Sequence, residues 1–187
     1  MGKANELIKL IGEGDRDAFQ KLYQLFSEKV YNTAISYTHN SSDAEEVAQD
    51  VFTSVFRNAS KFQGNSEVST WIYRITVNTS LNKIKKGKRF SFLKFGEQEY
   101  DVPDFEHPGA LMEQKEHSAS LFKAIDKLPE SQKTAFILSY IEELPRQEVA
   151  DVMEVTLKSV ESLLQRGKSN LRKNLENIYP NRRKSKK

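Results

Sequence analysis

The chain has 187 residues, of which 37% are hydrophobic and 29% charged, and it contains no cysteine. This length suits one ordinary domain or two small ones, and the lack of cysteine excludes disulfides and thiolate metal sites. No stretch approaches the roughly 18 apolar residues of a membrane span, so no membrane insertion is expected. The first residues, MGKANELIKLIGEGD, lack a signal-peptide cleavage pattern, so we expect a cytoplasmic protein.

Motifs for catalysis, metal binding and phosphate binding are missing from the sequence. There is no phosphate loop, GxSxG or HExxH pattern. The three histidines, His39, His107 and His117, lack the i,i+4 spacing of metal ligands. We therefore expect a protein that is not an enzyme and that holds no metal or cofactor.

Charge is distributed unevenly along the chain, although the formal net charge is only +3. Residues 57–90 carry eight Lys and Arg against one acid, and residues 161–187 carry nine against two. Between them, residues 91–117 carry two Lys against seven acids. Two basic segments separated by an acidic one indicate two contacts with a polyanion, joined by a spacer that avoids it.

Residues 15–86 have the apolar periodicity of helices. Asp15 is a suitable cap for a first helix, and the tetrad at residues 42–45, Ser-Asp-Ala-Glu, has the pattern of a capping box for a second. A turn around Gly64 follows, and a further helix begins near Val68. The residues expected on buried faces are Ala18, Phe19, Leu22, Tyr23, Phe26, Val30, Tyr31, Ala34 and Ile35, then Ala44, Val47, Val51, Val55 and Phe56, then Trp71, Ile72, Ile75 and Leu81.

The C-terminal part predicts a second group of helices. A helix from His117 ends before Pro129, which suits the first turn of the next helix, and Pro145 begins a short third helix. Thr156 can cap a longer fourth helix with a polar, basic outward face. A short helix, a tight turn and a longer helix form a helix-turn-helix pattern, which also occurs in helical hairpins that bind no DNA.

The predicted fold class is therefore all-α, with two small helical domains. The domains are residues 1–89 and 117–179, and the second is a helix-turn-helix. Residues 90–116, rich in acids and interrupted by glycine and proline, predict an extended linker between them. Residues 180–187 form a basic tail.

Three segments, in matching order and separation, resemble parts of bacterial RNA polymerase sigma factors of the extracytoplasmic-function (ECF) class in the sigma-70 family. They read DAEEVAQDVFTSVF from Asp43, FQGNSEVSTWIYRITVN from Phe62, and LPRQEVADVMEVTLKSVESLLQRGKSNL from Leu144. The resemblance implies that residues 1–89 are sigma region 2 and that residues 117–179 are sigma region 4. It implies a transcription initiation factor that binds core RNA polymerase, recognises −35 and −10 promoter elements and assists promoter melting.

The helix that matches DAEEVAQDVF grips a coiled coil of the largest polymerase subunit in this family. The resemblance assigns this contact to Glu46, Gln49 and Asp50. By their chemistry alone, the same residues are a solvated helix face with acids placed favourably near the helix N-terminus. Both interpretations stay open at this point.

In the same family, the loop that matches residues 62–66 captures a flipped, single-stranded base of the −10 element. Extruding a base costs roughly a few kcal/mol and requires a receiving pocket. By its spacing Trp71 is expected in the core, although its ring is also suited to stacking on a base. Basic side chains nearby are expected to contact phosphates. The candidate residues are Phe62, Gln63, Gly64, Asn65, Ser66, Arg74, Asn78, Lys83 and Lys86, with Lys85, Lys88 and Arg89 as further phosphate contacts.

The segment from Leu157 resembles the recognition helix that reads the −35 duplex. Its N-terminal residues are expected to reach base edges in the major groove, and the basic residues beyond them to contact phosphates. Arg166 is best suited to guanine. Glu154 stands where the family frequently has a turn glycine, and positive φ is uncommon for other residues. The candidate residues are Lys158, Ser159, Ser162, Gln165, Arg166 and Lys168.

Two other classes of protein also fit parts of the sequence. A freestanding helix-turn-helix regulator would explain residues 117–175 but would leave the segments from Asp43 and Phe62 without a role. A helical scaffold without a DNA partner is the second alternative, and strong salt dependence of promoter binding would argue against it. ECF sigma factors are often held by anti-sigma factors, so such an inhibitor is a candidate partner.

Overall fold

The computed structural model describes residues 2–93 and 120–178, and the side chains of residues 2–87 and 120–177. All regular secondary structure in these ranges is helical, and the chain divides into two compact units, one N-terminal and one C-terminal. These features confirm the all-α class with two domains. Most of the predicted linker and the whole basic tail lie outside the described residues.

The N-terminal unit is built from helices that pack pairwise. Helices α2, α3 and α4 pack against one another, and α1 lies against α2 and a short 3-10 helix. Helix α4 runs past residue 89, where the sequence analysis ends the domain. The elements are α1 (Lys3–Gly12), α2 (Arg16–Thr38), α3 (Ser41–Asn58), the 3-10 helix (Ala59–Lys61) and α4 (Val68–Leu93).

The cap predicted for α2 is confirmed, whereas the capping box predicted for α3 is wrong. The Asp15 carboxylate accepts hydrogen bonds from the amides of Asp17 and Ala18, at 2.8 and 2.9 Å. Helix α3 instead begins at Ser41, one residue before the tetrad, with Asn40 as its cap: the Asn40 side chain accepts from the Asp43 amide at 2.9 Å. Asparagine caps a helix as well as serine does. Helix α3 can therefore begin at Ser41 without the capping box predicted at residues 42–45.

Apolar periodicity predicted most of the core in α2 and α3. Four aromatic residues predicted on those buried faces are not buried, namely Phe19, Tyr23, Tyr31 and Phe56. Tyr23 is 48% exposed and Phe56 43%. The predicted residues that are buried are Ala18, Leu22, Phe26, Val30, Ala34 and Ile35 of α2 and Ala44, Val47, Val51 and Val55 of α3.

The buried face of α4 differs from the predicted one. Of the four residues expected there, only Ile72 is buried. The difference arises because α4 buries hydroxyl residues that an apolar pattern does not count. Thr76 satisfies its own hydroxyl by donating to the Ile72 carbonyl at 2.8 Å, so its burial leaves no polar group unpaired. The buried residues are Val68, Thr70, Ile72, Tyr73, Thr76, Val77 and Ser80.

The C-terminal unit begins with residues 120–126, the described part of α5, which are helical. Pro129 occupies the N-cap position of α6, and Pro145 directly precedes α7. The Pro145 carbonyl accepts from the Val149 amide at 3.0 Å, so both prolines start helices as predicted. The remaining elements are α6 (Glu130–Tyr140), α7 (Arg146–Met153) and α8 (Leu157–Ile178).

The turn between α7 and α8 forms without the usual glycine. Glu154 adopts a φ of +56°, and the amide of Val155 donates to the Ala150 carbonyl at 3.0 Å. The Thr156 hydroxyl then accepts from the Ser159 amide at 3.2 Å, which confirms the predicted cap of α8. The left-handed conformation of Glu154 costs roughly 1–2 kcal/mol, and the helix-turn-helix forms despite this cost.

Asn40→Ala should lower the free energy of unfolding of the N-terminal unit by about 1 kcal/mol, because it removes the cap of α3. The matched change Ser42→Ala, inside the first turn, should stay within about 0.5 kcal/mol of the unchanged protein. Urea unfolding followed by the fluorescence of Trp71, the single tryptophan, measures both. Equal losses for the two variants would contradict the assignment of the cap.

Candidate nucleic-acid and protein interfaces

The loop at residues 62–66 lies between the 3-10 helix and α4. Gln63, Gly64 and Asn65 are exposed, and the Asn65 amide donates to Gln63 Oε1 at 3.2 Å. Gly64 has a φ of +73° with open space around it, so its conformation favours glycine. The loop therefore presents short polar groups and an accessible backbone.

Phe62 and Trp71 form an aromatic pair at the base of this loop. Their ring centroids lie 5.0 Å apart at an interplanar angle of 41°, and both side chains are half-buried. The expectation that Trp71 is a core residue is therefore wrong. Since the apolar contact of α4 with its neighbours lies on the other side of the helix, the two rings border the loop and keep accessible surface.

Arg74 and Asn78 lie one and two turns beyond Trp71, on the same side of α4. Asn78 is exposed and Arg74 half-buried. The i,i+4 spacing continues through the exposed Asn82 to the exposed Lys86, so loop and helix give one continuous polar and basic surface. We call this the α4 outward face: Trp71, Arg74, Asn78, Asn82, Lys85 and Lys86. Asn82 was missed by the sequence analysis, although its spacing from Asn78 would have identified it.

Lys83 does not share this face with the other predicted residues. Its amino group lies 3.1 Å from Asp43 Oδ1 and 2.5 Å from Glu46 Oε2, so it points toward α3. The hydrogen bond to Glu46, with a smaller contribution from Asp43, raises the pKa of Lys83 against the opposing effect of burial. The structure thus joins a residue predicted to contact DNA to one predicted to contact polymerase.

The three residues predicted to contact polymerase are all exposed on α3. Glu46 and Asp50 are one turn apart on the side that carries the Lys83 pair. Gln49 lies on the other side and lines a groove between α2 and α3. The three predicted residues therefore span the ridge of α3 rather than one flat patch.

That groove, of about 890 Å³, is the feature that sequence reasoning missed. Aromatic rings form its floor: Phe19 packs edge-on against Phe56 at 5.3 Å, and Tyr23 packs against Phe52 at 4.6 Å. Exposed apolar surface of this kind is typical of interaction sites. The signal was present, because these aromatics widen the apolar stripe beyond what a neighbouring helix covers. Its lining residues are Arg16, Phe19, Tyr23, Ser27, Glu28, Tyr31, Glu45, Ala48, Gln49, Phe52, Thr53, Phe56 and Arg57.

In the C-terminal unit, α8 buries Val160, Leu164, Gly167 and Leu171. The opposite side is polar, and we call it the α8 outward face. Ser169 and Arg172 continue it. Ser169 was missed by the sequence analysis, although helical spacing from Ser162 and Gln165 would have found it. Its exposed residues are Lys158, Glu161, Ser162, Gln165, Arg166, Ser169, Arg172 and Lys173.

Local contacts hold several of the predicted residues of α8. The Ser159 hydroxyl lies 2.8 Å from that of Thr156, so it belongs to the helix cap. Arg166 Nε donates to the Ser162 carbonyl at 3.3 Å. Lys168 lies on the flank, with its amino group 4.9 Å from the centre of the Tyr140 ring of α6. The hydrogen bond to Lys168 lowers the pKa of Tyr140, against the opposing effect of burial.

Comparison with known proteins places both units in one family. The model for sigma-70 region 2 matches residues 22–90, and that for sigma-70 region 4 matches residues 118–171. The ECF RNA polymerase sigma factor SigW of Bacillus subtilis is 30% identical over 179 residues, covering 91% of this chain and 96% of SigW. The chain belongs to the ECF sigma factors of the sigma-70 family. The predicted family and function are thereby confirmed: this sigma factor is a transcription initiation factor that acts with core RNA polymerase at promoter DNA.

Further relatives and solved structures agree with this membership. The ECF sigma-E factor of Haemophilus influenzae is 31% identical over 170 residues, covering 87% of this chain and 89% of its own. CnrH, solved with the cytosolic domain of CnrY, has a TM-score of 0.67 at 20% identity and covers 94% of this chain and 99% of its own. The sigma factor RpoE of Bartonella quintana, solved with the anti-sigma factor NepR, has a TM-score of 0.67 at 21% identity and covers 84% and 96%. Both solved structures share the fold.

Helix α1 and the first residues of α2 precede the segment matched by the region 2 model. None of the helices in residues 2–93 and 120–178 has both the length and the apolar character needed to cross a membrane.

Lys86→Ala should reduce the slope of log K against log salt concentration by about 0.7 for polymerase bound to single-stranded −10 DNA, because one phosphate contact is lost. Lys83→Ala removes the same charge, yet should leave the slope unchanged, because that amino group already pairs with two carboxylates. Titration of fluorescent templates opened over the −10 element, at several salt concentrations, measures both slopes. A reduction that is the same for both lysines would refute the distinction.

Proposed function

We propose that the N-terminal domain, residues 1–89, acts as sigma region 2 and holds the extruded −10 strand in the loop at residues 62–66 and on the α4 outward face. The observation that supports this most is the aromatic pair of Phe62 and Trp71. A base needs an aromatic surface and a neighbouring backbone that allows close approach, and Gly64 with its open surroundings supplies the second.

The free energy of binding the extruded strand is large enough to account for promoter melting. Extruding a base from the duplex costs roughly a few kcal/mol, and stacking on an aromatic side chain returns about 1–3 kcal/mol per base. Phosphate contacts from exposed Lys85 and Lys86 add a sequence-independent term. These terms offset the cost of extrusion without chemical energy, so we propose that the protein is not an enzyme.

The C-terminal domain, residues 117–179, would act as sigma region 4 with α8 in the major groove of the −35 element. Lys158, Ser162, Gln165 and Arg166 are exposed within the first turns of α8, where recognition helices reach base edges. Arg166 is the residue we assign to guanine. Ser159, tied to the cap hydroxyl of Thr156, would contact DNA less directly than its neighbours, and Lys168 would contact a phosphate.

Core polymerase would bind at the ridge of α3. Glu46 and Asp50 offer negative charge to a basic partner, and the aromatic groove beside Gln49 offers apolar surface. Interfaces combine an apolar centre rich in aromatic residues with a charged rim. This combination favours a protein partner over the solvated-face interpretation of the three residues, because solvation alone does not explain exposed Tyr23 and Phe56.

The assignment as a sigma factor also suggests where the protein acts, how its domains are connected and what regulates it. We propose a cytoplasmic location, where core polymerase and promoter DNA meet the protein. The segment at residues 90–116 would connect the two DNA-binding domains. An anti-sigma factor is the proposed regulator, on the likeness to RpoE, which was solved with NepR. The freestanding regulator is not favoured, because it assigns no task to the α4 outward face or the groove.

Phe62→Ala should leave core polymerase binding unchanged while reducing promoter opening about tenfold, because loss of one stacking ring removes about 1–3 kcal/mol. Permanganate reactivity of unpaired thymines measures the opening, and gel filtration with core polymerase measures the binding. Phe56→Ala, which removes a ring from the groove between α2 and α3, is the matched control. It should weaken polymerase binding and leave the opening of fully assembled complexes intact. An undiminished permanganate footprint for Phe62→Ala would remove the ring from melting.

Arg166→Ala should cost about 1–3 kcal/mol at one base pair of the −35 element and relax the preference there. Arg172→Ala removes the same side chain farther along α8, and should weaken binding uniformly across sequences. Competition binding to promoters with each −35 base pair replaced in turn separates the two effects. If Arg166→Ala keeps every base preference, direct readout by this residue is excluded.

A further inference from the structure

Helix α1 lies against the short 3-10 helix from which the loop at residues 62–66 emerges. It precedes the segment matched by the region 2 model, which begins at residue 22. Leu7, Ile8 and Ile11 are buried, with Ile8 and Ile11 only 2% exposed. The helix is therefore firmly packed, and its last residue, Gly12, meets the 3-10 helix directly.

The approach of Gly12 to the 3-10 helix is closer than a Cβ atom at residue 12 would ordinarily allow. A Cβ atom at Gly12 would lie 3.0 Å from Ser60 Cα, 3.1 Å from Ser60 N and 3.4 Å from the carbonyl carbon of Ala59. All three are main-chain atoms, so no side-chain rotation relieves the contact. An added methyl group requires the backbone of one element to move by a few tenths of an ångström, and protein interiors transmit such strain.

Such a movement would reach Phe62, because the 3-10 helix is short and anchored. Ala59 is buried, with 3% of its surface exposed, and its carbonyl accepts from the Phe62 amide at 3.1 Å. Phe62 follows Ser60 by two residues, and its ring packs against that of Trp71. The 3-10 helix would thus transmit a shift of α1 to the ring proposed to hold the −10 base.

We propose that Gly12 is a positioning residue for promoter melting. By packing against the 3-10 helix, α1 fixes the backbone position of that helix, and this position directs the Phe62 ring toward the extruded base. This inference rests on the proposed role of Phe62. Small displacements of a binding group produce large losses in recognition. The absence of a side chain at residue 12 is therefore a requirement of the melting loop.

The test compares Gly12→Ala with Gly2→Ala, which makes the same change at the other end of α1, where a Cβ meets nothing within 4 Å. Holoenzyme made with each variant is titrated with templates opened over the −10 element, with each of the four bases in turn at the captured position. The promoter is one that the unchanged holoenzyme selects from a random library. Gly12→Ala should reduce discrimination among the bases roughly three- to tenfold, while Gly2→Ala keeps it and both bind core polymerase normally.

Ile11→Val separates positioning from stability. It loosens the packing of the same helix without adding an atom near Ser60. If Ile11→Val, at the same loss of stability by Trp71 fluorescence, reduces base discrimination as much as Gly12→Ala, the proposal is wrong. A Gly12→Ala protein whose N-terminal unit does not fold would also overturn it, since Gly12 would then be a requirement of the fold.

A double variant distinguishes this proposal from the function on which it rests. Gly12→Ala should have no further effect on base discrimination in a protein that already carries Phe62→Ala. If Phe62→Ala loses discrimination and Gly12→Ala retains it, the positioning role fails and the proposed function stands. If Phe62→Ala itself retains discrimination, the proposed function of the loop fails, and any effect of Gly12→Ala then has another cause.

Discussion

Burial of one side of α4 is the constraint on which the N-terminal unit depends. Val68, Ile72, Thr76 and Ser80 turn inward together, and a helix that fixes one side fixes the opposite side as well. Trp71, Asn78 and their neighbours are therefore directed outward by contacts in which they take no part. The proposed recognition of single-stranded DNA rests on this packing more than on any bond made by the outward residues themselves.

The pair of Lys83 with Glu46 shows why a position in the sequence does not fix a role. Lys83 is 25% exposed and Glu46 58%, so their attraction is screened by solvent and contributes about 0–1 kcal/mol. Its consequence is geometric: it connects α4 to α3 at the edge between the two proposed interfaces. A partner that takes Glu46 would compete with Lys83 for it, so polymerase binding and the environment of Lys83 are coupled.

The same structure separates surfaces of different chemistry. The groove between α2 and α3 is aromatic, the α4 outward face is polar and basic, and the α8 outward face combines hydroxyl, amide, ammonium and guanidinium groups with one carboxylate. An apolar groove gains from desolvation, phosphates require positive charge, and base edges require directional hydrogen bonds. Each surface thus suits a different kind of partner. A sigma factor needs all three kinds of surface, because it is proposed to bind a protein, single-stranded DNA and duplex DNA.

The sequence by itself determined the helices that follow Asp15, the caps at Asp15 and Thr156, the proline helix starts and the family, whereas helix α1 was not predicted. These depend on local chemistry: periodicity, side-chain hydrogen bonds to nearby amides, and the missing proline amide. Only the tertiary structure decided that Trp71 is half-buried, that Phe56 lines a groove, that Lys83 turns toward α3 and that Gly12 touches Ser60. Periodicity reveals which side of a helix is apolar, whereas the neighbouring helices determine how much of that side is covered, because packing joins residues that are far apart in sequence.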